Sequence, residues 1–218
     1  MRPPHTGGVW SGTYLKAKPV LDRALALFGI IFALPVMAAI AVAIKATSPG
    51  PVIFRQERIG IGGRPFIMYK FRTMYDGAEN DKGKFDHLDV ADGPTFKIPD
   101  DPRLTWVGKR LSHTFLDEFP QLFNILKGDM SFVGPRPPTP DEVPHYEEWQ
   151  RRRLDVKPGL TSPWVIKGRH RLTFEEWMRS DIGYVQDINI VTDAKVILGT
   201  VIITLTEVIR TLRGTILG

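Results

Sequence analysis

Residues 24–44 read ALALFGIIFALPVMAAIAVAI, twenty-one consecutive positions without a charge. A helix needs roughly 20 apolar residues to cross a bilayer, so this stretch has the length of a membrane helix. It is too long for the core of a signal peptide. Pro35 stands in its middle. A proline there cannot donate to the carbonyl of Ile31, and its ring clashes with the preceding turn, so the helix is expected to kink or break. Residues 24–34 make an arm of roughly 16 Å, about half of a hydrocarbon layer roughly 30 Å thick. Lys16, Lys18 and Arg23 precede the stretch, and Lys45, Arg55 and Arg58 follow it. Basic residues on both flanks suit a re-entrant hairpin whose two ends share one face. A kinked helix that spans is the alternative these features leave open.

Around that stretch the composition is ordinary. Of 218 residues, 43% are hydrophobic and 24% charged, which excludes wholesale disorder and collagen-like repeats. Cysteine is absent, so disulfide frameworks, Cys-ligated metals and thiol catalysis are excluded. The net charge is +5 and the pI ≈ 9.5, a balance that favours phosphate-bearing partners without choosing among them. Ser48-Pro49-Gly50-Pro51 ends the apolar segment. The runs VIFRQERIG and PFIMYKFRTM flank a Gly-rich turn at residues 61–64 and predict a β-hairpin. Residues 75–103 are polar and turn-rich, hence loop with short elements. A helical pattern begins near Val107.

In TFLDEFPQLFNILKGDM, Leu116, Phe119, Leu122, Phe123 and Leu126 fall at helical spacing. Thr114 and Asp117 read as a capping box, or Asp117 lies nearer the cap with Pro120 in the first turn. Gly128 is the expected stop. Gly134-Pro135-Arg136-Pro137-Pro138 is a stiff extended stretch that fixes one arginine. Tyr146 and Trp149 beside Arg151, Arg152 and Arg153 suggest an interfacial helix. The uncharged run 196–206 is too short to span and predicts an amphipathic helix on the membrane surface or on the core.

Asp117-Glu118 is an adjacent carboxylate pair at a helix head, where the dipole favours the ionised form. Such a pair can attack phosphorus or hold Mg²⁺, although acidic residues in a first turn are also commonplace. Arg136 is framed to grip phosphate bidentately. Arg55, Arg58, Lys70 and Arg72 alternate on the hairpin and face either phosphate, an anionic membrane surface or solvent. Arg103 sits in a charged loop. No HExxH, GxxxxGK[ST] or GxSxG pattern occurs, which argues against a zinc hydrolase, a P-loop and a serine-hydrolase elbow.

TSPGPVIFRQERIG, YKFRTM, DDPRLTWVGKRLSHTFLDEFPQLFNILKGDMSFVGPRP and VKPGLT, in that order, resemble the bacterial sugar transferases, the monotopic polyprenyl-phosphate phosphoglycosyl transferases. The resemblance covers residues 20–206. It implies an α+β, mainly helical fold: a flexible N-terminus (1–19), a re-entrant membrane helix broken at Pro35 (20–47), and a catalytic domain with interfacial helices on the cytoplasmic face of the inner membrane (48–218). The implied reaction moves a sugar-1-phosphate from a UDP-sugar to undecaprenyl phosphate and releases UMP. It runs through a phosphosugar ester on Asp117, with Glu118 as helper and Mg²⁺ at the dyad. Arg136 then binds substrate phosphates, together with Lys70, Arg72, Arg103 and Arg169. The partners are a nucleotide sugar, a polyprenyl phosphate and membrane lipid, with a homodimer compatible. Three positions depart from the family pattern. Leu34 stands where serine often precedes the proline, Ser112-His113 where arginine often precedes the dyad, and 161–169 reads TSPWVIKGR in place of TG-x-x-QV-x-GR. Other readings weighed are a non-catalytic membrane adaptor, against which the intact dyad argues, and a nucleic-acid binder, for which no recognition motif is present.

Overall fold

The computed structural model describes residues 9–167 and 172–216. Helix α1 (Val9–Thr47) opens the chain and runs as one uninterrupted helical element through Pro19 and Pro35. The expected separation into two helices at Pro35 is therefore corrected: the proline removes one backbone donor without ending the helix. The helix also begins eleven residues before position 20. Residues of the expected flexible terminus are anchored, because Tyr14 Oη and Lys18 Nζ each donate to Asp193 Oδ2 at 2.5 Å.

α1 buries a single stripe. Asp22, Ala26, Ile30, Met37, Ile40 and Ile44 are all 9% exposed or less, and Ala33 packs beside them. The steps of three and four residues keep these side chains on one face. Each buried isoleucine contributes about 1.5–3 kcal/mol. The opposite face leaves Leu25, Phe28, Ile31, Phe32, Leu34 and Val42 at least half exposed. α1 is long and apolar enough to cross a membrane.

Strands β1 (Ile53–Ile59) and β2 (Pro65–Phe71) pair antiparallel, with Phe54 opposite Lys70 and Arg58 opposite Phe66. The turn between them uses Gly62 and Gly63 at positive φ, as the hairpin reading requires. Residues 78–88 form a 3-10 segment inside the polar excursion. Helix α2 (Trp106–Thr114) starts at Thr105, whose hydroxyl accepts the Gly108 N–H at 2.9 Å. A Cβ at Gly108 would collide with the Thr73 carbonyl, so only glycine fits that approach. A 3-10 turn over Leu116–Glu118 leads to α3 (Gln121–Lys127).

This corrects two expectations. Thr114 is the last residue of α2 and its hydroxyl donates back to Arg110 O at 2.8 Å, so it caps nothing ahead of it. Asp117 and Glu118 lie in their own short turn, before α3. Phe123, expected on the inward face, is 39% exposed, whereas Ile125 is fully buried. Gly128 ends α3 at φ 93, as expected.

Strand β3 (Ser131–Val133) pairs parallel with β4 (Gly159–Thr161), a second sheet the sequence reading did not contain. Between them lies the short helix α4 (Glu148–Arg151), followed by a 3-10 turn. Arg151 and Arg152 are exposed, but Arg153 is buried and ion-paired with Asp181, so it is no interfacial residue. α5 (Pro163–Ile166), α6 (Phe174–Gln186) and α7 (Ile190–Ile216) complete the chain. α6 carries a full capping box between Thr173 and Glu176. α7 buries Val196 and leaves Leu198, Val201, Ile202, Leu205 and Ile209 exposed, an amphipathic helix as expected.

Three apolar clusters hold these elements. The first joins α1 to β2 and α3 through Ala26, Ile30, Met68, Leu122 and Ile125. The second joins the later half of α1 to β2 and α2 through Met37, Ile40, Ile44, Phe71, Val107 and Leu111. The third sets α6 and α7 against β3 through Tyr184, Ile188, Val196 and Val133.

Candidate active site

The dyad is placed by a backbone reversal. Phe115, between α2 and the 3-10 turn, has φ 59 and ψ 10. It is the one non-glycine residue with positive φ among the described residues. A bulky residue in that region costs of order 1–3 kcal/mol and persists where its surroundings enforce it. The reversal presents Asp117, 7% exposed, and Glu118 on the turn that follows.

Asn124 then locks α3 onto the hairpin. It is fully buried, accepts from the Tyr69 N–H at 3.1 Å and donates to Ile67 O at 2.6 Å. The carboxamide thus bonds the backbone of β2 as a neighbouring strand would. The next residue on β2 is Lys70. Its ammonium lies 3.1 Å from Glu118 Oε1 and 3.9 Å from Asp117 Oδ2.

The stretch around Arg136 is held at successive residues. Gly134 N–H donates to Thr161 O, and Pro135 O accepts from Gly159 N–H. Arg136 O accepts from Arg153 at 2.8 Å, Pro137 O from Arg58 at 2.9 Å, and Pro138 O from Ile59 N–H. The Arg136 guanidinium donates to Glu142 Oε1 at 3.3 Å and lies over the Trp177 ring. Behind it, Arg153 is fully buried. It pairs with Asp181 at 2.6 Å and donates to Tyr146 Oη at 2.7 Å. Burial and then the like charge of Arg136 push the Arg58 pKa down to about 9, which leaves it charged at neutral pH. Burial opposes ionisation of Glu142, but Arg136 and Arg58 outweigh it and hold that carboxyl below its ordinary range.

These groups converge on a cavity of ≈ 550 Å³. Arg58, Lys70, Glu118 and Arg136 supply its charged wall. Met68, Leu122, Phe132, Leu160, Ile197 and Leu205 supply its apolar wall. Three cations against one lining carboxylate make a site for an anion with an apolar companion.

Of the residues expected on phosphate, Lys70 and Arg136 line this cavity. Arg72 does not. Its guanidinium is spent on the carbonyls of Ser48 and Pro49 and the Ser48 hydroxyl, closing the turn after α1. Arg103 does not either: it is 5% exposed and forks onto Asp101 at 2.6 and 2.9 Å. Each of these two cations is engaged inside the fold, and neither lines the cavity. Arg169 lies outside the described residues. Arg110 stacks on Trp106 with its guanidinium carbon 3.5 Å from the ring centre, and it does not line the cavity. Arg58, one of the hairpin cations offered to phosphate, also lines the cavity, as do Thr161, Ser162, Trp164 and Val165 from the stretch where the chain departs from the family pattern. Gln121 is a lining residue not singled out from sequence.

Among the described residues no group of three or more metal-ligating side chains occurs. Asp117 and Glu118 offer two adjacent carboxylates. That donor set fits Mg²⁺, which is commonly held by one or two carboxylates and completed by substrate phosphates and water.

The fold and site define a membrane-associating protein with one long apolar helix and a cationic cavity that Glu118 lines and Asp117 adjoins on the same turn. The bacterial sugar transferase family matches residues 13–207, and the chain belongs to it. It is 43% identical over 189 residues to "Galactosyl transferase CpsE" of Streptococcus agalactiae, covering 86% of this chain and 42% of that protein. It is 37% identical over 205 residues to the "UDP-glucose:undecaprenyl-phosphate glucose-1-phosphate transferase" of Xanthomonas campestris, covering 90% and 40%. It is 33% identical over 189 residues to the "Exopolysaccharide production protein ExoY" of Sinorhizobium fredii, covering 85% and 84%. The chain thus spans about two fifths of the first two relatives and most of the third.

Proposed function

We propose that the chain transfers a sugar-1-phosphate from a nucleotide diphosphate sugar, a UDP-sugar by analogy with the Xanthomonas relative, to a polyprenyl phosphate. The observation that carries this reading is the Asp117-Glu118 turn facing Lys70 at a cavity that also receives Arg58 and Arg136.

Asp117 attacks the β-phosphorus of the donor. The new bond joins its carboxylate oxygen to phosphorus, the bridging P–O bond breaks, and UMP leaves with that oxygen. An oxygen of the acceptor phosphate then displaces the aspartate, forming the lipid diphosphate sugar. Both partners of the first step are anionic, so their approach is repulsive unless offset. Lys70 holds the dyad from one side, while Arg58 and Arg136 face the substrate phosphates. Asp117 and Glu118 would hold Mg²⁺, which when bound neutralises diphosphate charge.

The membrane side of the reading rests on α1 and α7. Tyr14 and Lys18 near one end of α1, and Ile40 and Ile44 near the other, all pack on the same body. A helix tied down at both ends delivers neither end to the far side of a bilayer. This favours a monotopic arrangement in which the exposed apolar face enters the lipid, with Pro35 as its point of flexure. The exposed apolar residues of α7 suit the same surface. An acceptor phosphate at the headgroups then meets the cavity without leaving the membrane.

The test supplies UDP-sugar, undecaprenyl phosphate and Mg²⁺ to detergent-purified protein and measures UMP. Release that needs Asp117 supports the reading. No release from any nucleotide sugar leaves a non-catalytic adaptor.

A further inference from the structure

Helix α7 forms one wall of the cavity. It packs on α2 and on α5, and its approach to α5 is close enough that a Cβ on Gly199 would meet the Ile166 side chain at 2.7 Å. Ile197, Thr200, Val201, Thr204 and Leu205 of α7 line the cavity, at steps of three and four that keep one face of the helix inward. None of them is charged. The charged liners come from the hairpin, the dyad turn and the stretch after β3.

The two edges of this inward face differ. Ile197, Thr200 and Thr204 are half-buried, whereas Val201 and Leu205 are 48% and 56% exposed although they line the cavity. Side chains that border the cavity and the exterior at once mark its mouth, and these two lie one helical turn apart. The cavity therefore opens along that edge of α7. Leu198, Ile202 and Ile209 carry the exposed apolar surface onward around the helix. A contiguous apolar patch that rims an opening marks a binding surface, unlike apolar residues scattered singly.

We propose that the hydrocarbon chain of the lipid acceptor enters the cavity sideways from the bilayer, over Val201 and Leu205, and lies along α7 while its phosphate reaches the charged wall. The inference rests on the proposed reaction and adds where the second substrate enters. The polarity of the cavity selects the occupant. An amphiphile with an anionic head and an apolar tail matches a space charged on one wall and uncharged on another. A nucleotide sugar is polar along its whole length, and its hydroxyls would lose water against the apolar side chains of α7 without gaining partners.

The experiment separates the two half-reactions. Val201→Trp and Leu205→Trp combined should raise the KM for undecaprenyl phosphate about tenfold, the scale of overfilling an apolar passage. UMP formed in the first turnover, without acceptor, should match the parent. Ile202→Trp puts the same bulk on an exposed position that does not line the cavity, and should leave the KM unchanged. A second measurement uses the parent and so does not depend on the paired variant folding. A polyprenyl phosphate carrying a diazirine on the isoprene units next to the phosphate should label the peptide with Val201 and Leu205, and undecaprenyl phosphate should compete. An unchanged KM in the paired variant, an equal rise in Ile202→Trp, a slowed first turnover or label confined to other peptides would overturn the inference while leaving the reaction standing. A parent that forms no UMP from any UDP-sugar overturns both.

Discussion

The ammonium of Lys70 donates a 3.1 Å hydrogen bond to Glu118 Oε1, and this bond joins the β-hairpin to the turn that carries Asp117 and Glu118. It is possible because Asn124 sews α3 to the backbone on either side of Met68, which fixes the height of Lys70 against the dyad. Lys70→Met is expected to lower kcat about 10²-fold, the scale for losing one preorganised charge at a reacting phosphorus. Thermal stability should change little, since the side chain is 26% exposed and such pairs contribute about 0–1 kcal/mol. UMP release within threefold of the parent would count against the role given to Lys70.

The Arg153–Asp181 pair makes the opposite prediction. Both side chains have no exposure, and Arg153 also supports Arg136 O. Removing one partner strands a buried charge, at a cost of about 3–5 kcal/mol. Arg153→Met should therefore lower the unfolding midpoint sharply. Asp181→Leu added to it should recover part of the loss, because the remaining carboxylate is then gone. A double variant less stable than either single one would refute this account.

Glu142 gives a pH signature. Its carboxyl is buried, yet Arg136 and Arg58 hold it below its ordinary value of 4.5. The unfolded chain therefore binds more protons in this range, and stability rises with pH. The contribution is complete above about pH 5 and is lost as pH falls through the lowered folded value. The stability difference between the parent and Glu142→Gln, followed by chemical denaturation from pH 6 to pH 3, should shrink on acidification. A difference that stays constant or grows would contradict the assigned sign.

The topology of α1 can be read chemically, since the chain contains no native cysteine to interfere. Lys16 and Thr47 lie near opposite ends of the helix and are exposed. Single cysteines at these two positions should both resist an impermeant thiol reagent in intact cells and both react after lysis. Labelling of one alone in intact cells would mean that the helix spans.

What sequence reveals here follows from how local each feature is. The hairpin was legible because its strands are adjacent and its turn needs glycines. α7 was legible from its spacing. The β3–β4 pair was not: its strands are three residues each, parallel, and separated by residues 134–158. Arg153 read as part of the basic cluster of an interfacial helix, since nothing near it in sequence announces Asp181. Arg72 and Arg103 look like any other cation until the fold brings Ser48 and Pro49 to one and turns Asp101 onto the other. The dyad was readable as a motif, but its setting was not, because phenylalanine gives no sign of the left-handed conformation Phe115 adopts. Gln121 was hidden in an amphipathic helix where a buried glutamine breaks no pattern.

Asp117 as a covalent nucleophile is tested most directly by mass spectrometry of the protein after incubation with a UDP-sugar that it uses and Mg²⁺, without lipid acceptor. The account predicts a sugar-phosphate mass increment on the peptide containing Asp117, lost on adding undecaprenyl phosphate and absent from Asp117→Asn. An unmodified Asp117 peptide, with UMP formed only when both substrates are present, would contradict it.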